Sequence, residues 1–367
     1  MAKHNINIQL LTPVHIGSGE VLEERFDYFV EYEKDEDGNS YPFIGIIDPR
    51  KILEVIGEEQ LTNWVSSIER KEDPYRFVKR INRNVKPESI TRRIIFAEER
   101  AKSLKECMQT ISPTDPKVDR PIIPGSSIKG AIRTALLAAS TEAQQANERN
   151  YRWVERNVFG ADPQSDVLRF LRVGDAFFAP ENTYAYMAST LNYKQQSKYN
   201  NNSLHDSQLD QLIEAIPEES KSSFTLSIVD RKDIPAHLPV ALQSIKNLFQ
   251  TINQHTFNLL ESELKIWQEK FPIDGEDSDL EYYLKVIHWL AQQAKNANKE
   301  NACILRVGYG SGWRFTTGAW TEKLPSFESE IVKKARPGAY RYEQFHFPKT
   351  RRLSLVDGPF GFVKLSL

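Results

Sequence analysis

The chain has 367 residues, 40% of them hydrophobic and 27% charged, with a formal net charge of −2. That length suits two domains with ample material for a core. The near balance of charge excludes a globally basic nucleic-acid binder and leaves local fields to be read instead. No apolar run reaches the roughly 18 residues of a membrane span. Met1-Ala2-Lys3 passes directly into an alternating strand, which leaves no room for a signal peptide. The two cysteines, Cys107 and Cys303, stand far apart in no metal-like spacing. A reduced, cytoplasmic protein with no metal or cofactor is the expectation. Positive charge is nevertheless concentrated, with nine Lys/Arg against three acids from Arg76 to Lys102 and seven against one from Ile331 to Arg352. Solvated helix faces would give the same runs.

In chain order, residues 5–10 alternate polar and apolar and predict a half-buried strand. A turn-forming loop follows over residues 12–20. Strands are expected near 26–32 and 41–47, joined by a charged hairpin from Lys34 to Asn39. Residues 50–108 read as a mainly helical, charged insertion. Pro121 to Ser127 introduces a helix running to about Ser140, with Ile128, Ile132, Ala135, Leu136 and Ala139 on one face. A strand near 167–178 closes a first domain, 1–180, and the second domain covers 181–367. The polar stretch 192–210 is expected to be mobile. A strand near 224–230, helices near 238–268 and 279–297, a strand at 303–307, a glycine loop, a basic linker and a strand at 360–365 complete the chain. With no regular βα repeat, the expected fold class is α+β.

The strongest local pattern is Pro124-Gly125-Ser126-Ser127-Ile128-Lys129-Gly130-Ala131-Ile132-Arg133. Pro and Gly break the preceding strand, Ser126 or Ser127 is placed to cap the helix, and the first-turn amides beside the positive dipole end form an anion site. Lys129 and Arg133, four residues apart, share a face and extend the positive charge. Gly130 inside a helix costs about 1 kcal/mol, which implies that something packs closely on it. An ordinary capped core helix with its cations in water fits the same residues.

Gly308, Gly310 and Gly312 alternate after a strand in Val-Gly-Tyr-Gly-Ser-Gly-Trp-Arg, exposing main-chain amides, Ser311 among them. Tyr309, Trp313 and Phe315 with Arg306 and Arg314 interleave aromatics and cations, as single-stranded nucleic-acid sites do. A glycine hairpin with core aromatics is the alternative. The third glycine of a dinucleotide fingerprint would fall on Trp313, and no Gly-Lys-Ser/Thr follows for a P-loop. Gly17 and Ser18 follow His15, a histidine that could serve RNA cleavage as a base but lacks an orienting partner in sequence. Lys349, Arg351 and Arg352 close the set of candidate phosphate contacts.

Four stretches in this order resemble the RAMP (repeat-associated mysterious protein) superfamily of CRISPR systems. They run from Leu11 to Gly19 (LTPVHIGSG), Ile123 to Arg133 (IPGSSIKGAIR), Leu305 to Trp313 (LRVGYGSGW), and Phe347 to Arg352 (FPKTRR) with Gly358 to Leu365 (GPFGFVKL). Within the superfamily, the C-terminal pair is most similar to the fifth subunit of type III-A Csm effector complexes. The resemblance implies two ferredoxin-like, RRM-type domains whose first helix (Ser126, Ser127, Lys129, Arg133) and glycine loop (Gly308, Gly310, Ser311, Gly312) face a guide RNA. It also implies a non-catalytic cap on a filament of backbone RAMP subunits near the 3′ end of the crRNA. Target RNA and a recruited trimming nuclease are further implied partners. A RAMP-type crRNA-processing endoribonuclease using His15 is the alternative, and a backbone RAMP that cleaves target RNA is disfavoured by chain length. The stretch 192–210 departs from the family pattern and leaves the domain junction open.

Overall fold

The computed structural model describes residues 2–112, 118–193, 195, 204–228, 238–270, 278–333 and 347–367. The chain opens with β1 (Ala2–Leu10), β2 (Gly17–Glu23), β3 (Tyr28–Lys34) and β4 (Ser40–Ile47). Three helices follow, α1 (Pro49–Ile56), α2 (Leu61–Glu69) and α3 (Pro74–Ile81), then β5 (Thr91–Ala97), β6 (Ser103–Cys107), β7 (Gln109–Ile111) and β8 (Asp119–Ile123). Next come α4 (Gly125–Ala139), α5 (Thr141–Gln144), α6 (Val154–Phe159), β9 (Leu171–Val173), β10 (Ala176–Phe177), β11 (Tyr184–Asn192), β12 (Gln211–Ala215) and β13 (Lys221–Ile228). Two long helices, α7 (Ile245–Lys270) and α8 (Ser278–Ala297), precede β14 (Ala302–Arg306), β15 (Thr350–Ser354), β16 (Gly358–Pro359) and β17 (Phe362–Ser366).

The fold is α+β and built on the ferredoxin-like pattern. In β1, Ile6, Ile8 and Leu10 point inward at 0–1% exposure while Asn5 and Asn7 face out, as the alternation predicts. β1, α4, β9, β13, α7 and β17 follow a βαββαβ course with antiparallel order β17-β1-β13-β9, and β14 adds to the β17 edge. α7 covers that edge. Asn253 donates to Ala302 O (2.9 Å) and accepts from Ile304 N–H (2.9 Å), and Thr256 donates to Ile304 O (2.8 Å). These bonds satisfy edge groups that would otherwise be open to another strand. α4 and α7 lie on this sheet and share one core with it, including Ile8, Ile128, Ile132, Leu248, Ile252 and Leu305. A second sheet runs β2-β6-β12-β11-β5-β4-β3, with β15 on β11 and β16 on β15. Strands on either side of the expected 180/181 division pair in both sheets, β1 with β13 and β5 with β11.

Several expectations change. The insertion is helical only in its first part, because β5 and β6 join the second sheet. Arg93 is paired within the fold rather than solvated, its side chain 10% exposed and bonded to Glu106 and Glu214. The strand expected at 167–178 is a short helical turn and two short strands, interrupted at Gly174-Asp175. Gly17 to Gly19 is the start of β2 rather than a turn, with Gly17 opposite Cys107. Of the polar stretch 192–210, residues 194 and 196–203 lie outside the described residues, as do residues 334–346 of the basic linker. The rest of the polar stretch is anchored, with Leu204 buried, Asn192 bonded to Asp206 (2.8 Å) and His205 to Asp210 (2.8 Å).

Candidate nucleic-acid interface

The loop after β1 and the glycine loop after β14 are stacked on each other. His15 O accepts the Tyr309 N–H (2.9 Å), and Pro13 O accepts the Gly361 N–H (2.9 Å). Gly308 has φ +75°, and a Cβ there would sit 2.5 Å from His15 O. Both the left-handed backbone and the close approach require glycine at this position. Below the loop, Ser311 donates to Gly308 O (2.8 Å), and Arg306 donates to Gly310 O (2.9 Å) and Phe360 O (3.0 Å). Gly308 and Gly312 are exposed, Gly310 is half-buried, and Ser311 is buried.

His15 is 3% exposed. Its Nδ1–H donates to Glu214 O (2.6 Å), and its ring meets Tyr309 edge-on at 5.4 Å between centroids. Burial lowers its pKa, with nearby Lys105 acting in the same direction and the Glu214 carbonyl opposing them. The ring is packed between the Glu214 carbonyl and Tyr309, with Nε2 beneath Gly17. Gly17 beside it is exposed. Ser18 donates to Glu106 (3.1 Å) and accepts from Glu20 N–H (3.1 Å), so its hydroxyl serves the local strand.

α4 starts two residues earlier than a Ser126 cap requires. Pro124 occupies the cap position, and neither Ser126 nor Ser127 caps the helix. A Cβ on Gly125 would overlap Val173 O, so glycine here permits helix and β9 backbone to touch. The Gly125 N–H is taken by the Asp175 carboxylate (2.7 Å), and the Ser127 and Ile128 N–H groups both reach Pro124 O. The Ser126 N–H is therefore the first-turn amide with no partner among the described residues. Ser126 and Gly130, one turn apart, are exposed. Contrary to expectation, nothing lies within 4 Å of a Cβ built on Gly130. Lys129 is half-buried and has no ion pair among the described residues. Arg133 is committed elsewhere, bonded to Glu155 (2.6 Å), near Asp166 (3.6 Å) and stacked on Phe159 (4.1 Å).

Arg314 and Arg351 also differ from expectation. Arg314 is buried and pairs with Glu322 (2.7 Å) and Glu263 (3.4 Å); the Arg351 side chain is 10% exposed and grips Glu263 through two bonds (2.6 and 2.9 Å). Trp267 and Tyr283 donate to the same carboxylate (2.7 and 2.9 Å). Burial alone would raise the Glu263 pKa, but the two guanidiniums hold it down at about 2. These arginines fasten the glycine loop and β15 to α7. Lys349 and Arg352 stay half-buried, Arg352 donating to Leu209 O.

The first loop, the glycine loop and α4 pack against a common core. Val14, Ile16, Ile128, Ile132 and Val307 share one core, and Thr134 on α4 donates to Thr316 O (3.4 Å) just beyond the glycine loop. Lys105 was not singled out in the sequence. Its ammonium lies 5.3 Å over the Tyr309 ring, and burial and Arg352 both lower its pKa. Two cations thus flank the glycine loop's tyrosine. In β6, Lys105 follows the buried Leu104 and is itself half-buried. Among the described residues, no group of three or more His, Cys, Asp or Glu is arranged to hold a metal ion, and no helix is long and apolar enough to cross a membrane.

The profile of the RAMP superfamily matches residues 7–319. The chain belongs to the RAMP superfamily. No curated protein sequence matches it. Among solved structures, this RAMP protein is similar to a chain of the Csm-crRNA-target RNA ternary complex of a type III-A CRISPR-Cas system, with a TM-score of 0.66 and 19% identity. That likeness covers 98% of this chain and 99% of the other. It is also similar to Csm5 from T.onnurineus, with a TM-score of 0.60, 16% identity and coverage of 97% and 99%.

Proposed function

We propose that this RAMP protein is a non-catalytic, crRNA-binding structural subunit of a type III-A CRISPR (Csm) effector complex, capping the backbone filament near the crRNA 3′ end. The observation that carries the reading is the end-to-end likeness to a chain of the Csm-crRNA-target RNA complex, with neither chain leaving a substantial part unmatched. The surface agrees with it. Exposed main-chain positions at Gly17, Ser126, Gly130, Gly308 and Gly312 lie on elements that share a core, with Lys105, Lys129 and Arg352 nearby. Backbone amides and scattered cations follow a phosphate chain without reading bases. Its partners are crRNA and the backbone RAMP subunit, with target RNA and a recruited trimming nuclease beyond them. The buried, carbonyl-bonded His15 argues against the processing-endonuclease alternative.

Reconstitution tests the reading. Complexes assembled with this chain are expected to carry it at the end nearest the crRNA 3′ terminus, and omitting it is expected to leave crRNA incompletely matured. Incubation of the pure protein with repeat RNA is expected to give no cleavage. Cleavage that disappears in His15→Ala would replace this function with the endonuclease.

A further inference from the structure

A cavity of about 790 Å3 opens between the glycine loop and the segment beginning at Phe347. Its size is that of a small-molecule site, about 300–1,000 Å3. Four arginines line it (Arg306, Arg314, Arg351 and Arg352) against one carboxylate, Glu263. That carboxylate is engaged by Arg351 and, at 3.4 Å, by Arg314, which Glu322 also pairs at 2.7 Å. This leaves Arg306 and Arg352 as the lining arginines without a carboxylate in contact among the described residues. Arg306 has no carboxylate within reach. It is 7% exposed, and its Nε and Nη2 donate to main-chain carbonyls. The faces of Phe315 and Phe362 lie 5.0 and 4.7 Å from its guanidinium, and Nη1 has no partner among the described residues. A buried cation with no carboxylate in direct contact is unfavourable, and burial draws the Arg306 pKa down to about 10 against the opposing field of Glu263. Trp313 and Phe347, edge to face at 5.3 Å, supply an aromatic part of the same lining.

Excess guanidinium and flat aromatic surface in one cavity match a phosphate joined to a base. We propose that the cavity receives one nucleotide unit, its phosphate toward Arg306 and its base against Trp313 and Phe347. The proposal rests on the RNA-binding reading and adds to it that one nucleotide leaves the path over the loops and enters the protein. The unit has two possible sources, the bound strand and a free ribonucleoside monophosphate.

The test is photocrosslinking of the full chain to single-stranded RNA carrying 4-thiouridine at each position in turn, mapped by peptide mass spectrometry, with and without excess uridine monophosphate. One strand position is expected to map to the peptides of Trp313 or Phe347, with its neighbours mapping to the surface of Gly17, Ser126 and Gly130. Persistence under the monophosphate assigns the cavity to the strand, and loss assigns it to the free nucleotide. Arg306→Lys, which keeps the charge but loses the fork, is expected to reduce the cavity crosslink at least about fivefold; the wild-type map stands alone if that variant does not fold. Crosslinks confined to the outer surface would overturn the cavity and leave RNA binding intact. The absence of crosslinks anywhere would overturn both.

Discussion

Replacing Glu263 with Gln removes one charge from a buried cluster and leaves two guanidiniums without it. The wild-type carboxylate accepts from Arg351, Trp267, Tyr283 and Arg314 at 2.6 to 3.4 Å. The amide keeps one acceptor oxygen and turns an N–H2 donor toward those donors. Burial would raise the carboxyl pKa, yet the arginines lower it from 4.5 to about 2. At about 1.4 kcal/mol per tenfold change in proton affinity, that displacement corresponds to about 3 kcal/mol. Breaking a buried pair by removing one partner gives a similar figure, about 3–5 kcal/mol. Because the folded-state pKa lies below the unfolded one, the contribution is complete above about pH 5 and is lost as pH falls toward 2. Urea unfolding followed by circular dichroism is therefore expected to show Glu263→Gln less stable by about 3 kcal/mol at pH 7. The gap between variant and wild type should narrow steadily below about pH 5. A deficit under about 1 kcal/mol at pH 7, or one independent of pH, would refute the charge-based account.

Gly308→Ala is expected to cost about 2 kcal/mol or more, from its left-handed backbone and the overlap with His15 O, and to lower RNA affinity, read by denaturation and by filter binding. Gly130→Ala has the opposite sign for the isolated protein. With open space around the new methyl, it should add about 1 kcal/mol and raise Tm while weakening RNA binding; unchanged binding would remove this helix face from the interface. Lys129→Ala is expected to reduce the slope of log affinity against log salt by about 0.7, whereas Arg133→Ala, whose cation is held by Glu155, should leave it nearly unchanged. Equal slope changes in both variants would contradict that assignment.

What could be read from the sequence is local. The alternation of residues 5–10, the Pro-Gly start of α4 and its apolar face at Ile128, Ile132 and Ala135 depend on neighbours within a turn or two, and the structure keeps them. The charged residues were harder. Arg93 and Arg351 look solvated in sequence, but the fully buried carboxylate of Glu214 that holds Arg93 lies 121 residues away, and Glu263, which holds Arg351, lies 88 away. No local window along the chain contains either of those pairs. The acids themselves carried a signal that the cations did not. Glu214 interrupts the apolar run Leu212-Ile213 and Ala215-Ile216, and Glu263 stands on the stripe of Leu260, Leu264 and Trp267. A carboxylate in either setting must find a cation inside the fold. The same blindness made β5 and β6 read as helix, since their charges suggested solvent while their partners came from β12 and from each other. For α4, the missing partner was Asp175, 50 residues on, which takes the Gly125 amide at a helix start that lies ahead of both serines.

The most direct test of the central claim is the salt dependence of binding to two single-stranded RNAs of equal length and unrelated sequence, between about 50 and 200 mM salt. A strand held through exposed amides and a few cations should bind with nearly equal affinity in both sequences, and log affinity should fall linearly with log salt at about 0.7 per phosphate contact. Strong preference for one sequence, or affinity that does not respond to salt, would contradict it.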